Sequence, residues 1–294
     1  MRMKFHYPLS VTWWVAAACL VASEPGEESQ RAGSVAPDKS GYTLFNPTPV
    51  ARLRDFATDR PNKTNGPRTL DAGHAQVEMD LGAYACDKQS GIRTENWTVA
   101  NTNLRLGLTH WAELQLLVPF YQEIHTQDTP LHPAQIADGS GDLSVGLKMN
   151  FWGNDAGNSA GGLAAYVKTP TASHEIGNGK TEGSVLGLLD FALPADFDLG
   201  INGGVGITAN DAHGYHTDFI ASACVSHKLV GSLSGYLEFY SSVPSNQRND
   251  WVGTVDVGLT LMVAKSVQLD TGLNIGATHA ADDLQTFLGL SVRF

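Results

Sequence analysis

The chain has 294 residues, a net charge of −11, 17% charged residues and 31 glycines. This acidic balance argues against a nucleic-acid partner, which would call for a basic face. No stretch reaches the roughly 20 apolar residues of a membrane-spanning helix, so any insertion into a bilayer must use strands. The three cysteines, Cys19, Cys86 and Cys224, make no disulfide framework.

Residues 1–23 have the features of a secretory signal peptide. Arg2 and Lys4 precede an apolar run from Val11 to Ala22, which is too short to cross a membrane. We predict cleavage near the end of this run. The segment ending at Cys19 also resembles a lipoprotein cleavage box, so lipidation of that cysteine stays open as an alternative.

Residues 24–71 are predicted to form an irregular N-terminal extension, because their prolines leave no room for a long regular element. These prolines are Pro25, Pro37, Pro47, Pro49, Pro61 and Pro67. From residue 72 the pattern changes to alternation of apolar and polar residues, which continues to residue 294. Alternation of this kind predicts β-strands that have one apolar face each.

Twelve strands follow from the alternation. They are placed near 74–86, 97–108, 111–124, 141–152, 161–169, 184–193, 197–208, 217–228, 232–242, 251–263, 266–277 and 285–294. The connections alternate between short turns and longer loops, the loops falling at 87–96, 125–140, 170–183, 209–216, 243–250 and 278–284. An even strand count with alternating connections is typical of a transmembrane antiparallel up-and-down β-barrel.

The charged residues inside these strands fall on the face opposite the apolar set, which is the arrangement that a membrane barrel requires. They are Glu78, Asp80, Arg105, Glu113, Glu123, Asp142, Lys148, Lys168, Asp190, Asp198, Asp218, Lys228, Glu238, Asp256, Asp270 and Arg293. We therefore expect them to face a polar lumen, while the apolar set faces lipid. A soluble β-sandwich or lipocalin-like barrel, with the apolar set inside, is the alternative.

Aromatic residues of the apolar faces collect at strand ends, as in the interfacial girdles of membrane barrels. Phe120, Phe219, Phe239 and Trp251 are expected at the loop side, and Phe151, Phe191, Phe197 and Phe294 at the turn side. The last strand must pair with the first to remove an exposed edge. Its terminal Phe294 is typical of the strand that barrel-assembly machinery recognises in bacterial outer-membrane proteins.

Several segments resemble a known family of outer-membrane proteins. They are Trp97-Thr98-Val99, Leu104-Arg105-Leu106-Gly107-Leu108-Thr109, Val118-Pro119-Phe120-Tyr121, Gly141-Asp142-Leu143-Ser144-Val145-Gly146-Leu147-Lys148 and Thr58-Asp59-Arg60-Pro61-Asn62-Lys63-Thr64. Over roughly residues 55–294 the chain is similar to the proteins labelled "putative meta-pathway phenol degradation" or "transporter". The resemblance implies a barrel that moves a small aromatic or apolar compound across the outer membrane, and it implies no catalytic residue.

The candidate functional residues lie in the lumen. Eleven of the sixteen in-strand charges are acidic, so the lumen favours cations; alternatively, the charges form salt bridges that only solvate the interior. Glu78, Asp80, Arg105, Glu113, Asp142, Lys148, Lys168, Asp190, Glu238, Asp256, Asp270 and Arg293 are the lumen-facing candidates. The extension is basic between residues 51 and 70, which suggests that it folds into the acidic lumen as a plug; a solvated tether is the alternative. Its candidate plug residues are Arg52, Arg54, Asp59, Arg60, Lys63 and Arg68.

The sequence therefore predicts a channel or transporter for small solutes in the bacterial outer membrane, surrounded by outer-membrane lipid. A barrel enzyme that acts on lipid and a structural barrel without transport are the alternatives. We expect no catalysis and no cofactor. The spacing of His213 and His216 could in principle suit a metal, but solvated loop histidines are far commoner, and we predict no metal site.

Overall fold

A computed structural model of the chain describes residues 38–128, 133–210, 214–246 and 250–294. The predicted signal peptide, with Cys19, and the loop residue His213 lie outside these described residues. Thirteen antiparallel strands make up the fold: β1 (Ala75–Gln89), β2 (Ile92–Gly107), β3 (Ala112–Gln127), β4 (Gln135–Gly139), β5 (Ser144–Trp152), β6 (Ser159–Lys168), β7 (Glu182–Leu193), β8 (Phe197–Ala209), β9 (Tyr215–Val230), β10 (Leu233–Pro244), β11 (Val252–Ala264), β12 (Val267–Gly276) and β13 (Leu284–Arg293).

Twelve of the strands form a closed barrel, which confirms the predicted fold class. Each strand pairs with the next strand in the chain, except that β5 pairs with β3 instead of β4. The ring closes because β1 pairs with β13 as well as with β2. Val77 lies opposite Val292 at the seam, and the Phe294 amide donates to the Ala75 carbonyl at 2.9 Å. The last strand thus closes the ring on the first and removes the edges that β1 and β13 would otherwise expose.

The outward face of the wall is apolar, as the alternation predicts. Val145, Val205, Leu237, Leu259 and Leu273 are all exposed. Aromatic side chains are exposed near both ends of the strands: Trp97, Phe120, Phe219, Phe239 and Trp251 at the loop end, and Trp111, Phe151, Trp152, Phe197 and Phe294 at the turn end. An apolar belt between two girdles of aromatic side chains suits a bilayer and its two interfaces.

The strand that adds to the twelve predicted ones is β4, which lies where the sequence predicts a loop. It extends the sheet beside the loop end of β3, where His125 lies opposite Ile136. Because β5 begins only at Ser144, Asp142 precedes the strand instead of lying within it. The predicted strand 141–152 therefore starts too early, although the Asp142 side chain still lies inside the barrel, where it pairs with Lys168.

The predicted loop 87–96 is also mostly strand. β1 continues to Gln89 and β2 starts at Ile92, so Ser90 and Gly91, both with positive φ, form a tight hairpin turn. Glycine adopts such a conformation without steric cost, and it is the usual residue of short hairpin turns. The two strands, of 15 and 16 residues, are therefore among the longest described strands of the barrel.

Alternation is interrupted in the first three strands. The pairing of β1 with β13 skips one residue between Asp80 and Gly82, and Ala100 of β2 has a positive φ of 55°. Beyond this irregularity, Glu123 pairs with the outward-facing Trp97, and its side chain is 35% exposed. The prediction that Glu123 lines the lumen is therefore wrong, because a bulge exchanges the two faces of a strand.

The extension has little regular structure. Its only helical turn among the described residues is a short 3-10 helix, Val50–Arg52, at the turn end of the barrel. No helix in the described part of the chain is long and apolar enough to cross a membrane.

Candidate functional site in the barrel lumen

Residues 56–70, here called the lumen segment, lie inside the barrel. The segment enters from the turn end, where the Arg293 guanidinium donates to the Arg54 carbonyl at 2.8 Å. It passes across the lumen to Lys63 and Thr64, then returns to the turn end, where the Leu70 amide donates to Glu113 at 2.6 Å. Most of its side chains are almost completely buried. The barrel therefore encloses a folded-back stretch of its own chain.

A network centred on Arg105 lies nearest the start of the segment. Its guanidinium donates to both carboxylate oxygens of Glu113, each at 2.9 Å, and to Glu78 at 2.7 Å. Asp59 of the segment adds a third carboxylate, which ion-pairs with Lys148, and its amide donates to both oxygens of Glu78. All five side chains are at most 3% exposed. Three carboxylates thus share two cations in the absence of solvent, and each carboxylate lies within ion-pair distance of at least one of them.

Arg60 occupies a second site on the wall. Its guanidinium ion-pairs with Asp80 of β1 at 2.6 Å and with Asp270 of β12 at 2.8 Å, and it lies 5.4 Å from the centre of the Phe287 ring. A side chain on Gly289 would collide with this guanidinium. The glycine thus leaves the space that Arg60 needs between two strands.

Lys63 occupies a third site, formed by β10 and β11. Its ammonium donates to the Thr254 hydroxyl at 2.7 Å, ion-pairs with Asp256 at 3.1 Å and lies 5.2 Å from the centre of the Tyr240 ring. The Lys63 amide donates to the neighbouring Glu238 at 2.8 Å. Glu238 thus binds the Lys63 backbone and Asp256 binds its side chain, and the two carboxylates are cross-strand neighbours.

The rest of the segment is bound around the opposite wall. The Thr64 hydroxyl lies 2.8 Å from that of Ser222, and Asn65 exchanges two hydrogen bonds with the Asn202 side chain through its amide and carbonyl. Arg68 pairs with Asp190 at 2.9 Å. The segment therefore contacts side chains from most strands of the barrel.

Four of the predicted residues lie away from these contacts. Arg52 is exposed outside the turn end, and Arg54 pairs there with Asp155 of the turn between β5 and β6. The expectation that these two arginines enter the lumen is wrong, because the chain passes into the barrel only after them. Asp142 and Lys168 pair with each other at 2.9 Å near the loop end, where Glu182 is a second partner of Lys168.

Several neutral polar residues of the site were missed from the sequence. Gln115 donates to Asp59 at 2.6 Å and accepts from the Tyr166 hydroxyl at 2.9 Å, while Asn202 and Thr254 bind the tip of the segment. All four occupy inward positions of their strands, so parity could have identified them. A search restricted to charged residues passes over them.

Most side chains of the segment are almost completely buried, and two small cavities lie beside it. One cavity of about 30 Å³ is lined by Arg60, Glu78 and Asn101, and another of about 10 Å³ lies next to Lys63 and Asp282. Cavities of this size hold from one to a few water molecules. Within the described part of the chain, the lumen segment therefore obstructs the lumen in this conformation.

The carboxyl of Asp282 lies in the loop between β12 and β13, outside the strands. Burial raises its pKa to about 6, and the nearby Asp87 carboxylate adds to the rise. The folded state thus holds the proton more tightly than the unfolded state, so this group makes stability fall as pH rises from about 4 to about 6.

We predict that Asp282→Asn raises the free energy of unfolding at pH 7 and leaves it nearly unchanged at pH 4. The amide resembles the protonated carboxyl, which is the form that the folded protein favours. Urea unfolding of both proteins at the two pH values measures the difference. Glu175→Gln, at an exposed position in another loop, is the matched control. An equal effect of Asp282→Asn at both pH values would contradict the assignment.

The fold and the lumen define a closed antiparallel β-barrel with an apolar outer face and a filled interior. The chain belongs to the family described as "Putative MetA-pathway of phenol degradation", whose sequence profile matches residues 58–294. This match includes most of the lumen segment as well as the barrel wall, and it confirms the resemblance that the sequence motifs indicate.

Solved structures with a similar fold are outer-membrane proteins. The NanC porin has 11% identity and a TM-score of 0.47, covering 74% of this chain and 98% of its own. The β-domain of the Bordetella autotransporter BrkA has 12% identity and a TM-score of 0.46, covering 75% and 99%. The outer membrane channel DcaP of Acinetobacter baumannii has 8% identity and a TM-score of 0.34, covering 75% and 96%. No curated protein matches the chain.

Proposed function

We propose that the protein is a channel for small solutes in the bacterial outer membrane and that the lumen segment is its displaceable plug. Membership of the phenol-degradation family supports a role in the passage of small aromatic or apolar compounds. The apolar outer belt supports placement among outer-membrane lipids, and the terminal strand supports insertion by the barrel-assembly machinery.

The observation that carries the proposal is the polar character of the contacts between the segment and the wall. Asp59, Arg60, Lys63 and Thr64 are bound through ion pairs and hydrogen bonds. Water that enters the lumen can replace such contacts, because hydration of both partners of an ion pair offsets much of the attraction that is lost when they separate. A segment packed through a large apolar surface would lack this property.

The position of the segment also supports the proposal. It enters and leaves at the turn end, and the Thr48 amide donates to the Ala72 carbonyl at 2.9 Å, so the two ends of the excursion lie side by side. Residues between these ends can leave the lumen as one loop while the barrel ring, which is closed by strand pairing alone, stays intact. Opening therefore requires no change in the wall.

The test is solute flux through the purified full-length protein in liposomes. Swelling rates are measured with phenol, a short fatty acid, benzylammonium and a neutral sugar, against protein-free liposomes. Faster entry of at least one of the small aromatic or fatty solutes is the expected result. Absence of flux for every solute would overturn the proposal and favour a lipid-directed enzyme or a structural barrel.

A further inference from the structure

The contacts of Lys63 have the composition of a binding site for an organic cation. Asp256 provides a carboxylate, Thr254 provides a hydroxyl and Tyr240 provides an aromatic face, and all three belong to the barrel wall. We propose that this site binds the ammonium group of a small cationic solute and that Lys63 is an internal ligand which the solute displaces. The inference rests on the proposed channel function and names a solute class for it.

The geometry suits an ammonium group. Lys63 Nζ lies 3.1 Å from Asp256 Oδ2 and 2.7 Å from Thr254 Oγ1, which satisfies two of its three donors. The Tyr240 ring, 5.2 Å away at its centre, faces the same nitrogen at a distance where cation–π attraction operates. A hard divalent cation would require a shell of six or more oxygen ligands, and an aromatic face cannot contribute to such a shell.

The wall places two carboxyl groups beside the single ammonium group of Lys63. Asp256 and Glu238 are direct cross-strand neighbours, and both side chains are buried. Asp256 Oδ1 is buried without a hydrogen-bond partner, although the other oxygen of the same carboxylate is paired. Glu238 is bound by the amides of Lys63 and Thr64, so departure of the segment would expose both carboxylates to a ligand.

A route to the site begins at the loop end. The cavity of about 10 Å³ beside Lys63 is lined by Asn274, Asp282 and Gln285, and Asp282 belongs to the loop between β12 and β13. These groups present oxygen acceptors ahead of the site, and a carboxylate at the entrance attracts cations. A cation that arrives from this side meets Lys63 before any other basic residue of the segment. Arg60, in contrast, is held between two carboxylates deeper in the barrel.

The experiment measures binding instead of flux, so the site can be tested even if the channel function fails. Benzylammonium and its neutral analogue benzyl alcohol are titrated into the detergent-solubilised full-length protein by calorimetry. The variants are Lys63→Met, which vacates the site, and Lys63→Met/Asp256→Asn, which also removes its carboxylate. Lys265→Met removes an exposed lysine from the turn after β11 and is the matched control. Heat-modifiable migration in gels checks that each variant is folded.

Lys63→Met is expected to bind benzylammonium at least about tenfold more tightly than the wild-type protein, because the internal competitor is gone. Benzyl alcohol should show no such gain, and Asp256→Asn in the same background should abolish it. Lys63→Gln, a polar replacement, is expected to behave as Lys63→Met does and serves if the methionine variant does not fold. Equal gains for the neutral and charged ligands, or a gain that survives Asp256→Asn, would overturn the proposal. Binding without flux in liposomes would instead refute the channel function and leave the site standing.

Discussion

Cross-linking the lumen segment to the wall is expected to abolish solute flux. The Thr64 and Ser222 hydroxyl oxygens lie 2.8 Å apart, so cysteines at these two positions bring their sulfurs close enough to bond. The disulfide would hold the tip of the segment against β9 and prevent it from leaving the lumen. We predict that the oxidised Thr64→Cys/Ser222→Cys protein shows only background swelling in liposomes, and that a reducing agent restores wild-type flux.

The background for this experiment lacks the native thiols, because Cys224 lies only two residues from Ser222 and is buried. Cys19→Ala, Cys86→Ala and Cys224→Ala are therefore introduced first, and each single cysteine variant is treated with the same oxidant as a control. Flux that persists in the fully cross-linked protein would show that solutes pass without movement of the segment tip.

Deletion of residues 51–70 is the complementary change. If the segment is the barrier, the deletion variant should show flux that is higher than that of the wild-type protein and insensitive to the oxidant. The hydrogen bond between Thr48 and Ala72 shows that the remaining ends already lie together. Equal flux in the deletion variant and the full-length protein would favour a segment that does not limit passage.

Much of the barrel could be predicted because each face of a membrane strand has a different environment. Charged side chains are disfavoured on the lipid-facing side of a strand and common on the lumen-facing side. The alternation of Glu78, Glu113 and Asp256 with apolar residues is therefore enough to identify the inner face of their strands. Basic residues in the extension opposite an acidic wall likewise drew attention to Arg60 and Lys63. Both inferences depend only on alternation and charge, which a single sequence contains.

What could not be predicted depends on three-dimensional register. The bulge after Asp80 exchanges the two faces of β1, and the residue types at that position do not indicate it. Nor does the sequence state which carboxylate receives which cation. Arg60 selects Asp80 and Asp270, which are 190 residues apart in the chain but meet where β1 and β12 flank β13.

The neutral residues of the lumen are a related case. Asn202 binds Asn65 through two hydrogen bonds, and Gln115 bridges Asp59 to Tyr166. Their importance arises from the segment that they contact, not from their own charge. Strand parity places these side chains on the inner wall, but only the path of residues 56–70 shows which of them bind the lumen segment.

Replacement of Arg105 is expected to have the largest effect on stability. Arg105→Met removes the cation that pairs with Glu78 and Glu113 and leaves buried carboxylates with Lys148 as their remaining nearby cation. Breaking a buried ion pair from one side costs about 3–5 kcal/mol. We predict a loss of this size in the free energy of unfolding, measured by urea titration and tryptophan fluorescence in lipid vesicles. Arg93→Met, whose side chain is 57% exposed beside Glu95, should cost at most about 1 kcal/mol.

A double variant separates the lost ion pair from other effects of the substitution. In Arg105→Met/Glu113→Gln one of the two carboxylates that lost Arg105 is also removed, so part of the stability should return, and the double-mutant cycle should give a coupling energy clearly above 0.5 kcal/mol. Additive losses would mean that Arg105 stabilises the barrel through packing alone. Because the Arg105 side chain also donates toward the carbonyls of Ala57 and Arg68, recovery should be incomplete. The loss of stability that remains in the double variant then includes the contacts between Arg105 and the two limbs of the lumen segment. These contacts must break before the segment can leave the barrel.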